Sequence, residues 1–250
     1  MRASVRSDHR RVPISSPSLT LRLRTPTYSS APCHHQRVRL QPRHLQALVG
    51  SQHARTVELK LSGGLVTAVY RPIDEQSALR ADGRTIGARL GVYQLLQALP
   101  LGEWVPLSSL TAREQSILPA LPTWTRSREK GRILRLADVP VRLDLLVTQN
   151  ADALDALGHA CLQGAVAPRM AVCPEEALRD TAPLWEADYH GVGLAVVGPG
   201  GVRTLVVPRT VVPESAAALH WSLAERVHAA AQVTSAGQAP APSSRVPRVS

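Results

Sequence analysis

The chain has 250 residues, enough for one large domain or two small ones, and a hydrophobic content of 44%, ordinary for a globular protein. Its net charge of +10 is lopsided: residues 1–46 carry nine arginines and one acid, Asp8, whereas the remainder holds 20 basic and 18 acidic side chains. No apolar run approaches the roughly 18–20 residues of a membrane-spanning helix, and Cys33, Cys161 and Cys173 form no C-x-x-C pair, which argues against a disulfide framework or structural zinc and for a reducing, cytoplasmic setting. Aromatic residues make up 3% and Phe is absent, so the core has to be built from Leu, Val and Ala, with Trp104, Trp124, Trp185 and Trp221 as its large pieces. Asn150 is the only asparagine, and Lys60 and Lys130 are the only lysines. Such scarcity of residues with AT-rich codons points to a GC-rich bacterial genome, and it explains the excess of Arg over Lys before any functional argument does.

In chain order, residues 1–40 are rich in Arg, Ser and Pro, a composition that resists packing and predicts a disordered basic arm. Such an arm can bind phosphate by counterion release or bind nothing. It also looks like an organelle transit peptide, which the bacterial codon signature contradicts. Residues 56–83 predict a hairpin, in which Val57, Leu59 and Leu61 alternate and Gly63-Gly64 turns, followed by a polar loop. Ile86, Leu90, Tyr93, Leu96 and Leu99, spaced by three and four, predict an amphipathic helix ended by Pro100. Leu107–Leu110 fits one helical turn, and Thr111-Ala-Arg-Glu114 is a capping box for a helix over 112–121.

A basic loop leads into the strand Val139, Val141, Leu143, Leu145 and Val147, whose period of two predicts one buried face. Asn150 can cap a helix that turns Leu154, Leu157, Cys161 and Leu162 to the sheet. The strand Arg169–Cys173 follows, then a helix begun by Pro174 with Glu175 and Glu176 and split by Pro183. Residues 191–207 read as a hairpin, Pro213 and Glu214 open a last helix, and residues 233–250 predict a disordered tail. The expected fold is α/β (or α+β), with a small subdomain at 84–137 packed on an α/β domain at 138–232 that contains a mixed sheet and flanking helices.

Two segments carry candidate chemistry. The order helix, short turn, capped helix, hairpin over residues 84–137 resembles winged-helix regulators. That resemblance implies DNA as partner, with Arg113 and Gln115 (beside Ser116) at the start of the reading helix. Arg126, Arg128, Lys130 and Arg132 would meet phosphates. Pro119 and Pro122 shorten the proposed reading helix, and a plain helical subdomain with a solvated basic loop is the rival reading.

The pieces "RLDLLV", "RMAVCP" and "GVGLAVV…GGVRTLVVP" over 139–208 resemble the core of restriction-endonuclease-like, PD-(D/E)xK-type domains. There an Asp on one strand and a Glu-x-Lys on the next hold magnesium, which activates water. Here Asp144 fills one acidic position and Asp138 is a candidate upstream acid, but Leu146 stands where the lysine belongs, so the set is incomplete.

Lesser candidates have simpler readings. Glu58-Leu-Lys60 is a pair of charges on an exposed strand face. Cys33, His34, His35, His44 and His53 lie where no fold fixes a metal geometry. Gly198–Gly201 precedes a strand, not the helix a phosphate loop needs, and His159 reads as a packed side chain. No G-x-S-x-G elbow marks a hydrolase. The expected function is therefore a non-catalytic DNA-associated or transcription-regulatory protein without a cofactor. The alternatives are a degenerate magnesium-dependent nuclease and a protein-interaction module.

Overall fold

A computed structural model describes residues 40–237; the predicted basic arm, its Cys33-His34-His35 cluster and all but the first residues of the predicted tail lie outside them. The fold is α/β, and its centre is a six-stranded mixed sheet in the spatial order β1-β2-β6-β7-β8-β9. Strand β1 (Arg55–Leu61) and β2 (Gly64–Pro72) form the expected antiparallel hairpin. Strand β6 (Val141–Gln149) pairs antiparallel with β2, then β7 (Arg169–Pro174) and β8 (Gly193–Gly198) follow in parallel, and β9 (Gly201–Val206) returns antiparallel at the edge.

Between β2 and β6 the chain leaves the sheet and builds a second one. Helices α2 (Asp74–Ala78) and α3 (Leu90–Ala98) lead to β3 (Trp104–Pro106), α4 (Ala112–Ile117), β4 (Arg126–Glu129) and β5 (Arg132–Arg135), and the three strands pair in the order β3-β5-β4. Helix α3 starts later than the predicted Ile86. Ile86 is buried beside it all the same, in one cluster with Val92, Tyr93, Leu95, Leu96, Leu99, Ile133 and Trp221. Helix α4 ends at Ile117 and passes into a 3-10 turn, Leu118–Ala120, because Pro119 has no amide proton with which to continue the α pattern.

Helix α7 (Ala217–Gly237) runs over β1, β2 and β6, and α5 (Ala153–Cys161) and α6 (Ala182–His190) pack on β7 and β8. Helix α1 (Pro42–Val49) puts Leu45 with Val69, Leu145, Val147, Met170 and Val172, whose neighbours along the strands belong to the opposite face. The prediction that Val141 to Val147 share one face is corrected here. Val69 pairs with Leu145 and Tyr70 with Leu143, which leaves Asp144 as the extra residue of a β-bulge. Before the bulge Val141 and Leu143 lie with the α7 cluster; after it Leu145 and Val147 lie with α1, and Leu146 takes the α7 side. One inserted residue exchanges the two faces.

Other expectations fail for identifiable reasons. Asp152, not Asn150, caps α5, its carboxylate accepting from the Asp155 amide at 3.0 Å, while the Asn150 side chain accepts from the Asp152 amide. The α5 face turned to the sheet is Ala153, Ala156, Leu157 and Ala160; Leu154 and Leu162 are exposed. Pro174 opens only a 3-10 turn, Glu175–Ala177, and Pro183 lies in the first turn of α6 instead of splitting it. A 3-10 turn, Glu214–Ala216, precedes α7, which runs on through residues 233–237. Of the four tryptophans only Trp221 is fully buried, and Trp185 is 73% exposed.

A buried polar network ties the smaller sheet to α7. Arg80 has a side-chain exposure of 0% and donates from Nε and Nη2 to Glu225 at 3.0 and 2.5 Å, from Nη1 to the Gln76 carbonyl and from Nη2 to the Asp138 carbonyl. Trp221 Nε1 donates to the same Glu225 carboxylate at 3.2 Å, and the Arg80 guanidinium lies 5.1 Å from the Trp124 ring centroid. Arg135 stacks on the other tryptophan, Trp221, at 4.9 Å and donates to the carbonyls of Leu96, Leu99 and Ala137 and to Asp138 Oδ1. Every nitrogen of both guanidinium groups thus has an acceptor, the condition for burying such a group without a large penalty.

Candidate nucleic-acid interface

The β4–β5 hairpin is built around a two-residue turn, Lys130-Gly131, with φ of 45° and 76°. Positive φ at both positions is the twist-matched hairpin geometry, suited to glycine at 131 and strained for the lysine at 130. The turn holds Lys130 at the tip, exposed, with its ammonium 3.6 Å from Glu129. Such a solvent-exposed pair contributes little.

Cross-strand pairing sorts the remaining cations. Arg128 lies opposite Ile133 and Arg126 opposite Arg135, on the face of the hairpin that carries the buried Ile133. Arg132 lies opposite Glu129 on the other face, where its guanidinium stacks 5.5 Å from the Trp104 ring centroid. The four cations therefore do not form one stripe. Arg128, Lys130 and Arg132 surround the hairpin end and are exposed. Arg126 sits at its base, half-buried, with Nε enclosed and no hydrogen-bond partner among the described residues. Burial first, and Arg128 second, lower its pKa.

Helix α4 presents no buried residue. It is fixed at its start by the capping box read from the sequence: the Glu114 amide donates to Thr111 Oγ1 at 3.3 Å, and the Thr111 amide donates to Glu114 Oε2 at 2.7 Å. The hydrogen bonds from Thr111 amide and hydroxyl hold the Glu114 carboxyl below its ordinary pKa. At the other end Ile117 packs against α3 so closely that a Cβ on Gly91 would lie 3.2 Å from Ile117 Cδ1. Arg113 is exposed on this helix. Gln115, expected beside it as a reader, is turned back: its Nε2 donates to the carbonyls of Leu110 (2.9 Å) and Leu107 (3.1 Å), and so pins the preceding turn.

Asp144 stands elsewhere, in the bulge of β6. Arg71 donates to it through both Nε and Nη2, at 2.8 and 2.7 Å, and Arg142 Nε lies 3.6 Å from Oδ1. Asp138 accepts from Arg135 and from the Val139 amide, so it belongs to the buried network. Among the described residues no group of three or more His, Cys, Asp and Glu is set to hold a metal ion. A carboxylate occupied by two guanidinium groups, with no second acid beside it, does not fit the magnesium that the endonuclease resemblance implies.

The remaining candidates also find their places. Glu58 and Lys60 are exposed on β1, Gly198 and Gly201 close the β8–β9 turn, and His159 is half-buried on α5. Burial pushes the Cys173 thiol up to about 11, away from reactivity. No helix among the described residues is long and apolar enough to cross a membrane. Compared with protein-family models, with curated proteins and with solved structures, the chain matches none.

Sequence reasoning missed Arg71, Arg80, Glu225 and His220. Arg71 and Asp144 are 73 positions apart, and Arg80 and Glu225 are 145 apart. Only the pairing of distant strands and the docking of α7 bring them together.

Proposed function

We propose that this protein is a non-catalytic nucleic-acid-associated protein that meets the DNA backbone with the end of the β4–β5 hairpin. The observation that supports this reading is the geometry of the second sheet. An exposed, capped helix precedes a two-stranded projection whose end carries Arg128, Lys130 and Arg132 against the single acid Glu129. The β3-β5-β4 order, with α3 before β3 and α4 between β3 and β4, is compatible with a winged-helix-like arrangement. In this reading Arg113 is the side chain left to α4 for contact. Gln115 pins the preceding turn, and Arg126 lies half-buried at the hairpin base, away from its end.

The test is binding of a labelled duplex by the full chain across a series of salt concentrations, compared with the Arg128→Ala/Lys130→Ala/Arg132→Ala variant. Each phosphate contact removed lowers the slope of log K against log salt by about 0.9, so the triple variant should bind more weakly and with a slope smaller by about two to three units. Unchanged binding and slope in the triple variant would refute the assignment, and leave the arginines of residues 1–39 as the source of any affinity. A second reading, a protein-interaction module, is favoured by α6, which exposes Trp185 (73%) and Tyr189 (78%) on one short helix.

A further inference from the structure

The half of β6 that holds the Asp144 bulge is open on its other side. Strand β7 begins to pair with β6 only at Leu146, so residues Val141–Leu145 have no partner on that side. The open edge borders a cleft of about 520 Å³, closed by Leu48 and Val49 of α1, the segment 207–212 and His220 of α7. That volume falls in the range of small-molecule sites.

Its charge is unusual. Arg71 and Arg142 are directly opposite one another across the β2–β6 pair, an arrangement that repels. Asp144, 9% exposed, lies between them and is the one acid lining the cleft. One carboxylate cannot balance two guanidinium groups, so the cleft keeps an unbalanced positive charge. Asp144 also fixes Arg71 through a two-bond fork and so leaves its Nη1 undirected by that pair, while Arg142 is 72% exposed. On the opposite wall His220 Nδ1 lies 2.7 Å from the Val166 carbonyl. A carbonyl only accepts, so Nδ1 carries the proton and Nε2 is the nitrogen left for a ligand. Thr210 adds a hydroxyl.

We propose that this cleft binds a phosphate group, with Arg142 and Arg71 as its cationic clamp, Asp144 as the acid that occupies Arg71 and competes with the anion, and His220 Nε2 turned to the anion from the opposite wall. Phosphate suits the site because it accepts from guanidinium donors on several sides, and inorganic phosphate, unlike a phosphodiester, also keeps a proton near neutral pH that it can offer the imidazole. The site is distinct from the hairpin and does not depend on the hairpin's function.

The test is calorimetric titration of inorganic phosphate into the full chain at constant ionic strength, with chloride as control. Saturable heat beyond the control is expected. Arg142→Ala, a change at an exposed side chain, should weaken binding by about tenfold or more. Asp144→Asn removes the competing negative charge and should tighten it, an effect opposite to that of simple unfolding, with circular dichroism confirming the fold. The hairpin triple variant should titrate as the wild type does. Absence of saturable binding, binding unaffected by Arg142→Ala, or weakening by Asp144→Asn in a folded protein would overturn the proposal. Competition by a short oligonucleotide would identify the phosphate as that of a nucleic acid; lack of competition would identify it as that of a small molecule.

Discussion

Replacing Glu225 by Leu leaves Arg80 buried with its charge uncompensated. The guanidinium keeps its bonds to the Gln76 and Asp138 carbonyls and its place over Trp124, but loses the carboxylate that takes Nε and Nη2. Breaking one side of a buried pair costs about 3–5 kcal/mol. Trp221 Nε1 also loses its acceptor, and an unsatisfied buried donor costs about 1–3 kcal/mol. A loss of that size is a large share of the roughly 5–15 kcal/mol that holds a domain together. The converse change, Arg80→Leu, strands Glu225 and should cost a similar amount.

The double variant is the informative one. Two apolar side chains of similar volume remove both charges, and such replacements are often neutral or favourable by about 1–4 kcal/mol relative to the ion pair. Here the lost tryptophan acceptor and the lost stack on Trp124 offset part of that gain. The double variant should therefore be more stable than either single one, with a coupling of at least about 2 kcal/mol. Urea unfolding at neutral pH, followed by tryptophan fluorescence and far-ultraviolet circular dichroism, measures all four members of the cycle. Single losses under about 1 kcal/mol, or losses that simply add, would show that Arg80 and Glu225 do not act as a buried pair.

Three further outcomes follow from local geometry. Lys130→Asn places a residue that tolerates positive φ at the strained turn position; it should raise stability by about 0.5–1 kcal/mol while weakening duplex binding, read by thermal melting and by the salt titration. Gly63→Ala would set a Cβ 2.8 Å from the His159 carbonyl oxygen and 2.5 Å from Gln163 Nε2. Since the backbone oxygen cannot swing aside, a loss of about 1–3 kcal/mol is expected in denaturant titrations. His228 is 5% exposed, and its Nε2 has no hydrogen-bond partner among the described residues; burial, then Arg80, lowers its pKa below 6.5, partly opposed by Glu225. The unfolded chain therefore takes up the proton first as pH falls. The ring's contribution to stability is complete above about pH 6.5 and is lost as pH drops from there to the lower folded-state value. His228→Leu should flatten that limb of the stability profile, and an unchanged acid limb would refute the assignment.

The parts of the fold visible in the sequence were those decided by near neighbours. The Thr111–Glu114 capping box and the Val57, Leu59 alternation are set within a few residues, and both occur. The parts that escaped depend on distant partners. Five alternating apolar residues read as one buried face, yet a bulge against β2 divides them, and only the β2 register specifies it. On α5 the leucine spacing places Leu157 on the sheet, where it lies, but the rest of that face is Ala153, Ala156 and Ala160, which permit close approach, while Leu154 and Leu162 face solvent. The hairpin cations were legible as a group along the chain, but not their division between two faces, which follows from which residue of β5 each one opposes. Gln115 was a polar side chain on an exposed helix, and nothing nearby in sequence showed that the Leu107 and Leu110 carbonyls would take it.

The arginines have unequal uses, and this limits what the net charge of +10 can mean. Arg80 and Arg135 serve the interior; Arg71 is paired with Asp144, Arg203 with Glu175 at 2.6 Å, and Arg226 donates to the Lys60 carbonyl. A guanidinium held by a carboxylate adds little to the field at a distance, since the pair is nearly a dipole. Among the described residues two places bring cations together with a single acid: the hairpin end, and the cleft where two arginines share one aspartate. Two sites of local excess on a nearly balanced fold should respond differently to salt. The hairpin faces open solvent, where roughly 8–10 Å of screening at moderate ionic strength weakens it steeply. The cleft takes one anion against two arginines, where a duplex is met by several cations, and should hold it with a shallower salt dependence. Measuring the duplex and inorganic phosphate against the same salt series would separate the two, and equal slopes would contradict this account of where the charge resides.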